Sequence, residues 1–208
     1  MRGPGPLGGR LAEVSAALLL GGASSRMGRD KAALPLLGVA AATRIARLLD
    51  ALFDDVLLVG GAPPDDAPGR RVADPADAPA CPLRGLVAAL GAARGERVLV
   101  VATDLPLLGA ELALGLVAWP SAPAVAPRRA AVAEPLCALY RVADVLPVAR
   151  ERLASGRLSL QGLLEAVGAG YVEGADLAAL DPAGHALHNV NTPEDLARAE
   201  ALLAAPKR

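Results

Sequence analysis

The stretch Leu18-Leu19-Leu20-Gly21-Gly22-Ala23-Ser24-Ser25-Arg26-Met27-Gly28-Arg29-Asp30-Lys31 restricts the fold more than any other part of the chain. The run Ser15–Leu20 is continuously apolar after its serine, as a strand covered on both faces requires. Paired glycines close it. A short Ser/Gly loop follows, carrying two cations, Arg26 and Lys31. Glycines such as Gly21 and Gly22 let backbone N–H groups approach an anion closely. Arg26 can grip phosphate as a fork, and Lys31 supplies a compact charge. The combination suits a polyphosphate. The alternative is a Gly-rich turn with solvated cations, and the run R-M-G-x-D-K followed by Leu34 and Leu36 favours the phosphate reading. The loop is not a Walker A motif, because Gly22 and Gly28 enclose five residues and Arg29 follows. No G-x-G-x-x-G fits either.

Downstream, strand-like and helix-like segments alternate. The pattern predicts strands at Asp55–Val59, Arg97–Ala102, Ala122–Ala126, Leu136–Arg141 and, shorter, Ala186–Val190. Helices are predicted at Thr43–Phe53, Leu83–Arg94, Gly109–Trp119, Val142–Ala154, Leu158–Val167 and Pro193–Ala205. Gly60–Arg71 reads as a loop, and a Pro/Arg loop separates the strands on either side of Arg128 and Arg129. Thr192-Pro193-Glu194-Asp195 supplies an N-cap hydroxyl, a proline at N1 and acids in the first turn. Alternating β and α segments imply a mostly parallel sheet with helices on both faces. The expected architecture is an α/β, Rossmann-like three-layer sandwich, with residues 1–12 a loose tail and 13–208 one domain.

In such a sheet, ligands lie beyond the carboxyl ends of the strands. Three of those ends are chemically loaded: Gly21–Lys31, Gly60-Gly61 and Asp104. Asp104 either holds Mg²⁺, which needs few protein ligands beside phosphate oxygens, or caps the turn that follows. Beside a phosphate loop the metal reading leads. Asp74 receives a base or sugar donor, or orders its Pro-rich loop. Asn189 and Asn191 flank one residue and point the same way if extended; they either face a ligand or metal or make turn hydrogen bonds. Glu134 either binds a polar substrate or faces solvent, and Arg128-Arg129 either meets an acidic substrate or is an exposed pair. His185 and His188 lack a carboxylate or Cys at ligand spacing, so no zinc site is expected.

Composition excludes several functions. A net charge of −1 and a pI near 6.1 argue against a nucleic-acid surface. Cys81 and Cys137 have no metal spacing and suit reduced cytoplasmic thiols. Residues 1–10 lack the apolar core of a signal peptide, and runs such as Val98–Ala102 are too short for a bilayer. A cytoplasmic protein with no membrane partner is expected.

Taken in order, these motifs resemble the molybdenum cofactor guanylyltransferase (MobA-type) family of nucleotidyltransferases. The resemblance rests on Leu19-Leu20-Gly21-Gly22 with Arg26-Met27-Gly28-Arg29-Asp30-Lys31, on Asp74 with Pro82-Leu83-Arg84-Gly85, and on Thr103-Asp104-Leu105-Pro106. It continues through Glu134-Pro135-Leu136-Cys137-Ala138-Leu139-Tyr140 and Asn189-Val190-Asn191-Thr192-Pro193-Glu194-Asp195-Leu196, spanning residues 14 to 203. It implies that Leu19, Leu20 and Gly21 line the nucleotide through backbone groups. Lys31 and Arg26 would hold the triphosphate, Asp74 would touch the nucleotide, and Asp104 would bind Mg²⁺, with Mn²⁺ as a substitute. Asn189 and Asn191 would face molybdopterin, the acceptor. The implied reaction moves GMP from GTP to molybdenum-bearing molybdopterin and releases pyrophosphate. Molybdenum-cofactor assembly proteins or apo-molybdoenzymes are the implied protein partners. Three positions depart from the pattern: Leu20 stands where Ala is usual, Cys81 where Gly precedes Pro-Leu-x-Gly, and Gly60 where some members carry Asn near the nucleotide. Cys81 falls near the base, so a cytidylyltransferase using CTP stays open beside the guanylyltransferase. So does a non-catalytic protein that binds nucleotide and delivers molybdopterin.

Overall fold

The computed structural model describes residues 10–20, 35–74 and 79–205. Gly21, Gly22, Arg26 and Lys31 lie outside the described residues.

The first strand, β1 (Leu11–Leu19), shows why its sequence is apolar without alternation. Val14, Ala16, Leu18 and Leu20 enter one core cluster, while Ala17 and Leu19 enter another on the opposite face. Both faces are covered, so a polar residue at either parity would lose its water. A two-residue hairpin follows, β2 (Pro35–Leu36) and β3 (Val39–Ala40). Helix α1 (Ala41–Leu52) then lays Ala42, Ile45, Ala46 and Leu49 on the first face. Strand β4 (Phe53–Val59) pairs parallel to β1, and β5 (Arg70–Val72) pairs parallel to β4. Helix α2 (Pro82–Ala92) covers the second face with Leu83, Leu86 and Leu90.

Strand β6 (Arg97–Ala102) returns to the other flank of β1. It is followed by α3 (Ala110–Ala118), β7 (Ala124–Arg129), β8 (Val132–Ala133) and β9 (Cys137–Arg141). Then come α4 (Val142–Ala154), α5 (Leu160–Ala166), β10 (Gly170–Val172), α6 (Gly174–Leu180) and α7 (Pro193–Ala204). The strand order is β10-β7-β9-β6-β1-β4-β5, with β8 paired to β7. On this path only β9 runs against the others, because β6 and β7 both pair with it antiparallel. The result is a mixed α/β sandwich with helices on both faces of a mostly parallel sheet.

Four local readings are corrected. Ala186–Val190 is not a strand: the His188 N–H donates to the His185 carbonyl at 3.0 Å, and that turn breaks the extension an apolar run suggested. Gly60–Arg71 is not wholly loop, since Arg70 and Arg71 begin β5. Arg128 and Arg129 are the end of β7, not a loop. They are also structural. Arg128 bonds Glu173 at 2.6 and 2.8 Å and stacks on Tyr171, and Arg129 bonds the buried Asp181 at 2.6 Å.

Among the described residues, no helix is long and apolar enough to cross a membrane.

Candidate active site at the carboxyl edge of the sheet

The chain steps from β1 outward to β4 and β5, then crosses back to β6 on the far side of β1. Connections diverge there, and the carboxyl ends of parallel strands leave a crevice at such a point. The register aligns Leu19 with Val59 on one side and with Ala102 on the other, so the three strands run out together.

On the β4 side, Leu20 N–H donates to Val59 O and Gly60 N–H donates to Val72 O, each at 2.9 Å. These bonds carry the ladder one residue past each strand and bring Leu20, Gly60 and Asp74 together. A cleft of about 400 Å³ opens here, lined by Gly60, Gly61, Arg71, Asp74 and Arg84 among others. Two glycines make its floor possible. Gly60 has φ +70°, and a Cβ on it would lie 2.9 Å from Asp74 Oδ2. Gly61 has φ +39°, and its Cβ would lie 2.7 Å from the Leu20 carbonyl. A side chain at either position would press into the cleft wall. Leu19 sits beneath, 3.4 Å from the Cβ position of Gly85 on α2. Arg84 Nη2 donates to Asp74 Oδ2 at 3.1 Å.

On the β6 side, Asp104 leaves the strand two residues beyond Ala102. Its carbonyl accepts the Val190 N–H at 2.8 Å. That bond brings Asn189 and Asn191 beside Asp104, although their segment is not a strand. Asn189 is exposed and, with His188 and Arg198, lines a cavity of about 200 Å³. The Asn191 N–H donates to Asp195 Oδ2 at 3.0 Å, within the capping box of α7. Glu134 is also drawn in, since Ala102 N–H donates to Leu136 O at 2.9 Å and aligns the start of β9 with the end of β6. Burial, and then the neighbouring Asp104 carboxylate, push Glu134 above the usual carboxylate range. It does not simply face solvent.

The remaining candidates lie elsewhere in function. The His185 and His188 rings meet at a tilt with centres 5.4 Å apart, and Asp181 accepts the His185 backbone N–H. Cys137 is fully buried, and burial first, then Glu134, raise its thiol far above the usual range, so it is no nucleophile. Among the described residues no group of three or more His, Cys, Asp or Glu side chains could hold a metal.

A family model, the MobA-like NTP transferase domain, matches residues 16–168. The chain belongs to the MobA-like NTP transferase family. It is therefore an enzyme, a nucleotidyltransferase of the MobA type. A Pelotomaculum thermopropionicum protein named probable molybdenum cofactor guanylyltransferase is 33% identical over 192 residues, which is 91% of this chain and 93% of that one. A Rhodobacter capsulatus protein named molybdenum cofactor guanylyltransferase is 34% identical over 197 residues, covering 90% and 95%. The fold is shared with the crystal structure of molybdopterin-guanine dinucleotide biosynthesis protein A from Archaeoglobus fulgidus. That match has a TM-score of 0.77 at 22% identity, over 91% of this chain and 98% of that one.

Leu19, Leu20, Gly60 and Asp74 gather on one side of the switch point, and Asp104, Asn189 and Asn191 on the other. The sequence reading gave Arg84 no role. Its signal was present, an arginine in the first turn of a helix that starts eight residues after Asp74, but the ion pair needs the intervening loop to fold back.

Proposed function

We propose that the chain transfers GMP from GTP to the terminal phosphate of molybdenum-bearing molybdopterin, giving the guanine dinucleotide form and pyrophosphate. A phosphate oxygen of the pterin attacks the α-phosphorus of GTP. A new P–O bond forms, the bond to the oxygen bridging toward the β-phosphorus breaks, and pyrophosphate departs with its electron pair. The nucleophile is already an anion and needs no general base. The barrier is repulsion between anions, and catalysis is positioning plus charge compensation.

In this reading the base and ribose occupy the Gly60–Asp74–Arg84 cleft, and the triphosphate runs from the end of β1 toward Asp104. Arg26 and Lys31 hold the phosphates. Asp104 is the residue to hold Mg²⁺. Its surroundings suit such an ion, because the Glu134 carboxyl stands close enough for the two charges to repel each other, which a divalent cation would relieve. Mg²⁺ suits few carboxylates with phosphate oxygens. When bound, it neutralises phosphate charge and acts as a Lewis acid. Asn189 and Asn191, tied to Asp104 through Val190, face the acceptor. The cell compartment in this reading is the cytoplasm.

The supporting observation is the common edge: the nucleotide-reading residues and Asp104 flank β1 where the strand connections reverse. The relatives named as guanylyltransferases support GTP over CTP. The test is pyrophosphate release with GTP, CTP, ATP or UTP, with and without molybdopterin and Mg²⁺. Release that requires GTP, Mg²⁺ and molybdopterin is expected. Preference for CTP would make the chain a cytidylyltransferase. Nucleotide binding without pyrophosphate release under any of these conditions would overturn the proposed reaction.

A further inference from the structure

Arg84 lies in the first turn of α2, ten residues after Asp74, and the two side chains are about four-fifths covered, with 21% and 19% exposed. One carboxylate oxygen, Oδ2, accepts from Arg84 and leaves no room for a side chain on Gly60. The other, Oδ1, is buried and accepts no hydrogen bond from any described residue. A buried acceptor without a partner is uncommon in a folded protein and marks a place another group completes. A carboxylate can only accept, so the completing group is a donor. The carboxylate lines the cleft given above to base and ribose, and a nucleoside offers donors in its ring N–H groups and its hydroxyls.

We propose that Arg84 is a positioning residue for nucleotide recognition: its ion pair fixes the Asp74 carboxylate against Gly60 as acceptor for an N–H or O–H donor of the nucleoside. The inference rests on the nucleotide reading of the cleft. It differs from a plain attraction of Arg84 for the triphosphate, because the effect passes through Asp74. Both partners of such an ion pair must be present for the acceptor to be held.

Binding of GTP and of guanosine is measured for wild type, Arg84→Met, Arg84→Lys, Asp74→Asn and Arg84→Met/Asp74→Asn. Arg84→Met should weaken both ligands by about tenfold or more, the loss expected of one charge-assisted contact. In steady state the KM for GTP should rise while kcat changes little. Arg84→Lys, which keeps the charge but not the fork, should recover part of the affinity. In the Asp74→Asn background the Arg84 substitution should add less than about twofold, since the two act as a unit. Inosine triphosphate and 2′-deoxy-GTP then separate a base donor from a ribose donor. Whichever analogue lacks the recognised group loses its sensitivity to Arg84→Met. Weakening of GTP but not guanosine, additivity with Asp74→Asn, or Arg84→Met binding like wild type would each overturn the proposal. Normal nucleotide binding by Asp74→Asn would instead remove Asp74 from the nucleotide site. Should Arg84→Met fail to fold, Arg84→Lys decides: a partial loss of affinity for both GTP and guanosine, with kcat kept, supports the proposal, and wild-type binding of both ligands overturns it.

Discussion

Two aspartate–arginine pairs stand at opposite ends of the sheet, Asp55–Arg70 and Asp74–Arg84, and they are built differently. Asp55 pairs in register with Ser15 of β1, near the amino ends of the strands. It is 6% exposed. It accepts from Ser15 Oγ at 2.6 Å, from Arg70 Nε at 2.7 Å, from Arg70 Nη2 at 3.1 Å and from the Arg94 N–H at 3.1 Å. Ser15 Oγ in turn accepts the Arg94 and Gly95 N–H groups. Every oxygen is used. Asp74, at the carboxyl edge, has one oxygen paired and one left over. The same two residue types thus do two jobs. A closed network fixes the loop between α2 and β6 and has nothing left to offer a ligand. An open one gives up stability and keeps an acceptor in reserve.

The comparison breaks first if activity and stability do not separate. Asp104→Asn should lower pyrophosphate release by about 10²–10³-fold, the loss typical of removing one preorganised charge. Its melting temperature should fall less than that of Asp55→Ala, because the bond from Val190 is to the Asp104 carbonyl and survives. Wild-type release in this variant would take Asp104 out of the reaction. Asp55→Ala should behave oppositely. It leaves Arg70 Nε and the Ser15 hydroxyl without their acceptor, while the Arg94 N–H keeps Ser15 Oγ, so about 3 kcal/mol should be lost. For a chain of this size that lowers Tm by roughly 6–12 °C. The KM for nucleotide should stay as it was, and a large KM change would mean that the two ends are coupled.

The same contrast explains which features were legible. β1, β4 and β6 were readable because both faces are buried, which writes an uninterrupted apolar run. The cap of α7 was readable because local chemistry sets it. β5 and β10 were missed. They are the two edges of the sheet, three residues each, and Arg70, Arg71 and Gly170 interrupt any apolar pattern. Helix α6 buries only Leu177 among its seven residues, too little for a periodic stripe. Ala186–Val190 misled because its apolar residues pack under a turn. At the site, Gly60 and Asp104 could be found as residues that end strands, and Asp74 as the acid ahead of Pro82-Leu83-Arg84-Gly85. The Arg84–Asp74 pair could not, because it depends on a loop closing in space. Gly21, Gly22, Arg26 and Lys31 remain readings of the sequence.

Acid should sharpen the contrast with a smaller effect. Burial alone would raise Asp55, but bonds from Arg70, Ser15 and the Arg94 N–H outweigh it and hold the carboxyl at about 2, below its ordinary 3.8. A lowered folded value means the stabilisation is complete above the unfolded value and fades as pH falls from about 4 toward 2. The amount at stake is on the order of 2 kcal/mol. Melting curves at pH 5, 4, 3 and 2 should therefore show wild type losing more stability below pH 4 than Asp55→Asn, whose amide does not titrate. Parallel slopes for the two proteins would deny Asp55 its place in a closed network.

The smallest effect tests whether the division between the two ends is absolute. The capping box of α7 is a stability device, yet it lies at the carboxyl edge. Thr192 Oγ1 accepts the Asp195 N–H at 3.1 Å, while Asp195 Oδ2 accepts the N–H groups of Thr192 and Asn191 at 2.9 and 3.0 Å. Thr192→Ala removes the first bond and leaves the other two. It should cost about 1 kcal/mol, felt mainly as faster amide exchange in the first turn of α7, where local opening is easiest. Asn191 keeps its own bond to Asp195, so the KM for the acceptor should stay within about twofold of wild type, as for a change that leaves the ligand-facing contact intact. Asp195→Ala releases Asn191 and Thr192 together and should raise that KM further than Thr192→Ala does. If the two substitutions raise it equally, helix stability and not the placement of Asn191 governs the acceptor side, and the closed and open ends of the molecule are less separate than their two aspartates suggest.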